Sequence, residues 1–168
     1  MRAGSGHNLA YKEGFQAEGW AYLTFSSAIK KVLGATSLER TTRGNLDKLA
    51  GVDALATIEN RLFPVSLRHR ERDYSSFTVS RHLSDNASEL GKWLESPKGA
   101  IKPYFHIQTS RQGERYRLLV VNVEAFANWA RGQELEDFYS AKLGAYEFKL
   151  SVLPKEVGLR YWWLKKGG

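Results

Sequence analysis

The stretch that decides the fold is GVDALATIENRLFPVSLRHR, residues 51–70. Apolar and polar residues alternate on both sides of Asn60-Arg61, which predicts two antiparallel strands joined by a two-residue turn at those positions. In the register that this turn sets, one face of the hairpin is apolar apart from a histidine at its end. The pairs on that face are Val52 with His69, Ala54 with Leu67, Ala56 with Val65, and Ile58 with Phe63.

The opposite face of this hairpin carries polar side chains suited to chemistry. Asp53, Ser66 and Arg68 are predicted to project together from adjacent strands. A carboxylate beside a second oxygen ligand and a cationic side chain suits metal-dependent phosphodiester hydrolysis. The carboxylate holds the metal ion, and the metal ion and the cationic side chain both stabilise negative charge on the phosphate. A cross-strand ion pair between Asp53 and Arg68, with no ligand, fits the same residues. Residue types alone favour the ion pair and leave the metal site as the alternative.

The rest of the chain predicts an α/β or α+β domain with a mixed sheet. Residues 8–33 have the apolar spacing of a long helix, with Asn8 as its N-cap and Gly34 as its stop. A strand or loop is expected over 36–43, followed by a short helix that contains Leu90 and Trp93 and is capped by Ser84 or Asp85. A second hairpin is expected from Tyr104 to Val123, joined across Arg111–Gly113, with Val120 and Val121 buried on both sides of the sheet. The last expected elements are a helix over 124–131 and strands over 145–152 and 157–164.

Composition excludes several classes of protein. Of 168 residues, 42% are hydrophobic and 26% charged, which is typical of a globular domain, and one domain over residues 1–168 is expected. The absence of cysteine excludes disulfide scaffolds and thiol nucleophiles. No apolar run reaches the ~18 residues of a membrane span, and residues 1–8 lack a signal pattern. A cytoplasmic protein without a membrane partner is therefore expected.

The charge of the chain is that expected of a nucleic-acid-binding protein, but charge alone does not separate such a protein from one with a basic surface and no nucleic-acid partner. The chain has 25 Lys and Arg residues and 18 Asp and Glu residues, which gives a net charge of +7. The resulting pI is about 9.6, a value typical of proteins that bind phosphate groups of nucleic acids. Arg70, Arg72 and Arg81 follow the polar hairpin face and are expected to contact phosphates. Aromatic and basic residues also alternate over 160–166; burial of alternate aromatics in the core is favoured there over base stacking. A basic protein unrelated to nucleic acid has the same composition.

Residues 51–70 and the preceding helix resemble the core of the PD-(D/E)XK nuclease superfamily. In that superfamily a helix bearing Glu precedes a hairpin, whose first strand carries Asp and whose second strand carries a (Glu/Gln)-X-Lys triplet. Ala17-Glu18 in the long helix and Gly51-Val-Asp53 in the first strand match the helix and the Asp strand of the superfamily. Ser66-Leu-Arg68 in the second strand matches the triplet in a degenerate form. Phe77–Ser80 and Tyr104–Gln108 resemble later strands of the superfamily.

This resemblance implies a restriction-endonuclease-like core, a mixed β-sheet flanked by helices, and hydrolysis of DNA with Mg²⁺. It implies that Asp53 and Glu18 bind the metal, that Ser66 and Arg68 complete the catalytic set, and that the protein forms a homodimer on duplex or branched DNA. Apart from the resemblance, the four histidines have no metal-site spacing and are expected to be partly buried or surface residues, with a ligand or base role for His106, approaching the site from a later strand, as the alternative. Ser66 brings no charge, and Arg68 has too high a pKa to donate a proton. These departures are the reason for a second hypothesis, a catalytically inactive DNA-binding or protein-interaction subunit on the same scaffold.

Overall fold

The chain combines two β-sheets with helices on both faces of the larger sheet. The structure, a computed structural model, describes Trp20 and residues 22–41, 51–80, 89–95 and 102–165. Within these residues it contains a mixed sheet of six strands and an antiparallel sheet of three. The helices are α1 over 22–33, α2 over Glu89–Glu95 and α3 over Val123–Ala130. The expected mixed α/β architecture is confirmed.

The larger sheet contains one parallel pair of strands, β3 (Arg61–Arg70) and β5 (Phe105–Gln112), among antiparallel neighbours. The connection between these two strands includes α2 and another strand, β4 (Ser76–Ser80), and is a crossover of the length that parallel pairing requires. In spatial order the strands are β1 (Ser37–Arg40), β2 (Ala54–Ile58), β3 (Arg61–Arg70), β5 (Phe105–Gln112), β6 (Arg115–Asn122) and β9 (Arg160–Lys165).

The smaller sheet is assembled from short strands in the order β4, β8, β7. These strands are β4 (Ser76–Ser80), β8 (Ala145–Lys149) and β7 (Tyr139–Ser140). The stretch Phe77–Ser80, expected as a later strand, is thus a strand of the smaller sheet. Among the described residues, no helix combines the length and the apolar character needed to cross a membrane.

The hairpin of β2 and β3 turns one position earlier than its sequence predicts. Ile58 pairs with Arg61, so the turn residues are Glu59 and Asn60. Their φ angles of 50° and 65° are the left-handed values of a type I′ turn, whose twist matches that of the two strands. The predicted pairs are therefore wrong by two residues. A slip of two keeps each side chain on its own face, so the predicted faces remain unchanged.

Two other chain reversals lie close to where the sequence predicts them. Helix α1 ends at Gly34, which has a φ of 67°, and the N–H of Ala35 donates to the carbonyl of Lys30 at 2.8 Å. The predicted N-cap, Asn8, lies outside the described residues. The hairpin of β5 and β6 turns at residues 113–114, with Gly113 at a φ of 61°; Arg111 and Gln112, expected in the connection, belong to β5.

Helix α1 covers one face of the larger sheet, which we call the α1 face. Phe25 and Ile29 of the helix are buried against it, together with His69 at the end of the apolar stripe of β3. This packing removes a continuous apolar surface from water and forms the first core. The strand residues in this core are Leu38, Ala54, Ala56, Val65, Leu67, Ile107, Tyr116, Leu118 and Val120.

The opposite face of the larger sheet, the small-sheet face, packs against the smaller sheet and helices α2 and α3. Trp93 of α2 and Phe126 of α3 are fully buried there. Leu119 and Val121 of β6 join this second core while Leu118 and Val120 join the first. Strand β6 is therefore buried on both sides, which confirms the prediction from its unbroken apolar run.

Candidate nuclease site and nucleic-acid interface

The carboxylate of Asp53 lies at the level of the triplet expected to carry the chemistry. Asp53 immediately precedes β2, and its Oδ2 accepts a hydrogen bond from the backbone N–H of Leu67 at 2.7 Å. Leu67 is the middle residue of the triplet between Ser66 and Arg68. The contact holds the carboxyl group of Asp53 against the backbone of β3, between the residues that precede and follow Leu67 in the chain. It supplies the acceptor that a backbone carbonyl would otherwise provide at the end of the β2 ladder.

Ser66 is enclosed by packed side chains on the small-sheet face. Its hydroxyl forms a hydrogen bond of 2.5 Å with Nδ1 of His106, its partner in the parallel register of β3 and β5. Ser66 is 2% exposed and His106 1% exposed. The rings of Phe77 and Trp93 each lie 5.2 Å from the imidazole ring centre. The sequence thus places His106 beside the site correctly, whereas the catalytic role expected for Ser66 stays a prediction.

Arg68 and Arg70 continue the same face of β3 toward its C-terminal end. Arg68 is half-buried and lies beside Gln108 in the parallel register. The Nε of Arg70 donates to the Thr78 hydroxyl of β4 at 2.9 Å, so one edge of its guanidinium group is held by the smaller sheet. Glu18 and Arg81, the other residues expected at this site, lie outside the described residues.

The described part of the site supplies one oxygen ligand of the kind that Mg²⁺ prefers. Asp53 provides a carboxylate, and a second carboxylate is expected from Glu18. Within the described segments, no group of three or more His, Cys, Asp or Glu side chains could hold a metal ion. Asp53 fits Mg²⁺ in ligand chemistry, and a complete site would need Glu18.

A buried aspartate organises a second cluster of basic and aromatic residues. The side chain of Asp73 is 2% exposed, and its Oδ2 lies 3.0 Å from both the Nε of Arg117 and the hydroxyl of Ser110. Its backbone N–H also donates to the carbonyl of Arg111 at 2.7 Å. These contacts fasten the connection after β3 to strands β5 and β6.

On one side of Asp73, arginines of β6 stack on aromatic rings of β9. The guanidinium carbons of Arg115 and Arg117 lie 4.3 and 4.4 Å from the ring centre of Trp163, and that of Arg117 lies 5.1 Å from Tyr161. Such contacts are cation–π interactions, and they hold flexible arginines in place. Together, Arg115, Arg117, Tyr161 and Trp163 form what we call the arginine–aromatic surface.

The chain neighbours of Asp73 extend the basic character of this region. The guanidinium carbon of Arg72 and the ammonium nitrogen of Lys142 each lie 5.8 Å from the ring centre of Tyr74. Arg72 is exposed, so its guanidinium group is accessible to a phosphate group of a ligand. Its expected contact with phosphate stays a prediction.

The sequence predicts that alternate aromatic residues of the C-terminal segment lie in the core, and this is confirmed. Trp162 packs against the first core, whereas Tyr161 on the other face is 51% exposed. The contribution of the β6 arginines to that other face was missed. The period-two patterns Arg115-x-Arg117 and Tyr161-x-Trp163 contain a signal for it, but only the pairing of β6 with β9 brings them together.

Comparisons with protein-family models, with curated proteins and with solved structures give no match to this chain.

Proposed function

We propose that this chain is a DNA endonuclease-like protein that hydrolyses phosphodiester bonds with Mg²⁺, on a restriction-endonuclease-like core. In this proposal Asp53 and Glu18 hold the metal, and Arg68 contacts the scissile phosphate. The observation that carries it is the hydrogen bond from Leu67 to Asp53, because it keeps a carboxylate beside the Ser66-Leu-Arg68 triplet.

Asp53 and Arg68 have different roles in the proposed hydrolysis, because one is an anion that binds metal and the other a cation that binds phosphate. Bound Mg²⁺ would stabilise charge on the phosphate and activate water. Asp53 is held in place, because a backbone N–H donates to one of its oxygens. The guanidinium group of Arg68 offers planar donors that match phosphate oxygens, and it orients and stabilises the phosphate without transferring a proton.

The topology supports the same proposal. A helix, α1, precedes an antiparallel hairpin, β2 and β3, which carries the Asp and the triplet on adjacent strands. A crossover then places β5 parallel to β3, and β5 brings His106 and Gln108 to the triplet. This order of elements agrees with what the resemblance to the PD-(D/E)XK superfamily implies.

The second candidate is a DNA-binding protein that does not cut, on the same scaffold. It is favoured by the enclosed hydroxyl of Ser66, whose hydrogen bond goes to the buried His106. A residue held in this way does not replace the carboxylate that the triplet normally supplies to the metal. In this case the basic residues bind DNA, and Asp53 has a purely structural role.

Cleavage of plasmid DNA in the presence of Mg²⁺ or Mn²⁺ tests the proposal, with Asp53→Asn as the main variant. Asparagine keeps an oxygen acceptor for the N–H of Leu67 but removes the charge, so the fold is retained while metal binding is lost. We expect metal-dependent cutting by the parent and at least about a 100-fold slower rate for the variant. Asp137→Asn, the same change at an exposed acid, should cut like the parent.

The outcomes separate the interpretations. If neither parent nor variant cuts and both bind DNA with salt-dependent affinity, the non-cutting candidate holds and the nuclease proposal fails. Equal cutting by the parent and Asp53→Asn overturns the assigned metal site. No salt-dependent DNA affinity at all overturns both candidates and leaves a basic protein unrelated to nucleic acid.

A further inference from the structure

The arginine–aromatic surface lies at an edge of the larger sheet. Strand β9 is the last strand in the sheet order, and it pairs with β6 on one side. Tyr161 of this strand is 51% exposed, so part of its ring is accessible to a ligand. An exposed ring next to guanidinium groups offers a flat surface with a positive rim.

Arg115 is exposed and held in place by its neighbours, which suits it to bind an anion. It is exposed, its guanidinium carbon lies 4.3 Å from the ring centre of Trp163, and its Nη2 donates to Oε1 of Gln112 at 3.1 Å. No carboxylate among the described residues pairs with it. A guanidinium group has five N–H donors, so donors remain for a phosphate after the contact with Gln112. Stacking on Trp163 reduces the entropy that this residue would lose on binding.

Arg117 plays a different part, because its charge is already matched. Its ion pair with the buried Asp73 neutralises the acid and holds the guanidinium group against Tyr161 and Trp163. The carboxylate of Asp73 therefore does not repel a phosphate at the surface. Arg117 positions the two rings, and the net positive charge available to a ligand comes from its exposed neighbours Arg115 and Lys165.

We infer that the arginine–aromatic surface binds single-stranded DNA, with Tyr161 stacking on an unpaired base and Arg115 binding a backbone phosphate. This inference deepens the proposed function and rests on its assignment of DNA as the ligand. Aromatic rings stack on base faces, and these faces are accessible only where bases are unpaired. A surface that used phosphate contacts alone would not need an exposed tyrosine beside the arginines. The net charge of +7 is complementary to the strand.

Fluorescence anisotropy with a labelled oligothymidylate of about 12 nucleotides tests the inference. The parent should bind this strand more tightly than the same strand annealed to oligoadenylate. Tyr161→Ala should weaken binding about fivefold or more, the loss expected from one stacked base, while Tyr161→Phe should retain the affinity. Tyr104→Ala is a matched control, because Tyr104 is an exposed aromatic that contacts Phe63 and Phe105 at the other end of β5.

Arg115→Ala provides a second variant that does not depend on the tyrosine. We expect it to weaken binding and to lower the slope of log affinity against log salt by about 0.7, the value for one phosphate contact on a single strand. Circular dichroism shows whether each variant is folded. If Tyr161→Ala does not fold, Arg115→Ala alone decides, and an unchanged affinity and salt slope then overturn the inference.

The results for this surface and for the nuclease site can be told apart. Unchanged affinity in a folded Tyr161→Ala protein, or equal affinity for single strand and duplex, overturns the single-strand inference even if Asp53-dependent cutting is observed. Asp53→Asn should keep the single-strand affinity of the parent. Single-strand binding without any cutting leaves this inference standing and removes only the nuclease proposal.

Discussion

His69 shows how a single buried side chain links β3 to helix α1. Its Nδ1 lies 2.8 Å from the hydroxyl of Thr109, and its ring centre lies 6.5 Å from that of Phe25 in α1. The carboxylate of Glu71 lies 3.4 Å from its other nitrogen. Burial lowers the pKa of His69 and outweighs the nearby charge of Glu71, which would raise it. The folded protein therefore favours the neutral imidazole.

This pKa makes stability depend on pH in a defined window. The unfolded chain takes up a proton near pH 6.5 and the folded chain only at lower pH, so between these values the unfolded state binds more protons. The free energy of unfolding should fall as the pH drops below 6.5, by about 1.4 kcal/mol for each unit of pKa difference. Urea unfolding from about pH 8 to about pH 5 measures this loss, and His69→Gln should show a smaller one.

An NMR titration of the His69 ring provides the independent check. A folded-state pKa at or above 6.5 contradicts this prediction, as does a pH profile that is identical in the parent and in His69→Gln. Taking the difference between the two proteins removes the contribution of the other histidines.

At the scale of elements, one glutamine joins the two sheets. The side chain of Gln108 on β5 accepts from both the backbone N–H and the hydroxyl of Thr78, each at 2.9 Å. Its amide nitrogen donates to the carbonyl of Ser76 at 2.9 Å. Gln108 thus satisfies backbone groups of β4 on the side away from β8, as a neighbouring strand would.

Gln108→Leu should therefore destabilise the protein despite the similar size of the two side chains. The change leaves the buried N–H of Thr78 and carbonyl of Ser76 without partners, and we expect the free energy of unfolding to fall by about 2–4 kcal/mol. Gln112→Leu is the matched control, because it makes the same change on the same strand at an exposed position, where we expect under about 0.5 kcal/mol. Equal effects of the two substitutions in urea unfolding would contradict this role.

For the molecule as a whole, the larger sheet is shared by two cores. Leu118 and Leu119 are neighbours on β6, and both are buried, the first against α1 and the second against the smaller sheet. Each core therefore depends on apolar side chains that β6 contributes to it. Coupling through a common sheet leads us to expect one cooperative unfolding transition, as in a single domain.

The pair Leu118→Ala and Leu119→Ala tests this expectation with the same change on opposite faces. Each should lower the free energy of unfolding by about 2–5 kcal/mol through lost burial and a new cavity. Far-ultraviolet circular dichroism and tryptophan fluorescence should give the same midpoint within each variant. Two separated transitions in either variant would show that the cores unfold independently, against the prediction of one domain.

Short-range patterns were enough to predict much of the fold. The faces of the β2–β3 hairpin, the end of α1 at Gly34 and the two-sided burial of β6 followed from alternation, glycine and an unbroken apolar run. These features depend on neighbours a few residues apart, whose geometry is set by backbone conformation. The turn at Glu59 and Asn60 was missed because two registers with the same faces differ only in turn geometry.

The sequence by itself thus determined which face of the β2–β3 hairpin is apolar, that β6 is buried on both sides, which strands form hairpins and that the chain is strongly basic. Only the tertiary structure decided that β3 and β5 are parallel neighbours, a pairing that joins Ser66 to His106, 40 residues away. The same holds for the stacking of Arg115 and Arg117 on Trp163. Local periodicity sets which face a side chain is on, but contacts between distant strands depend on strand order, which is decided by how the whole sheet buries its two faces.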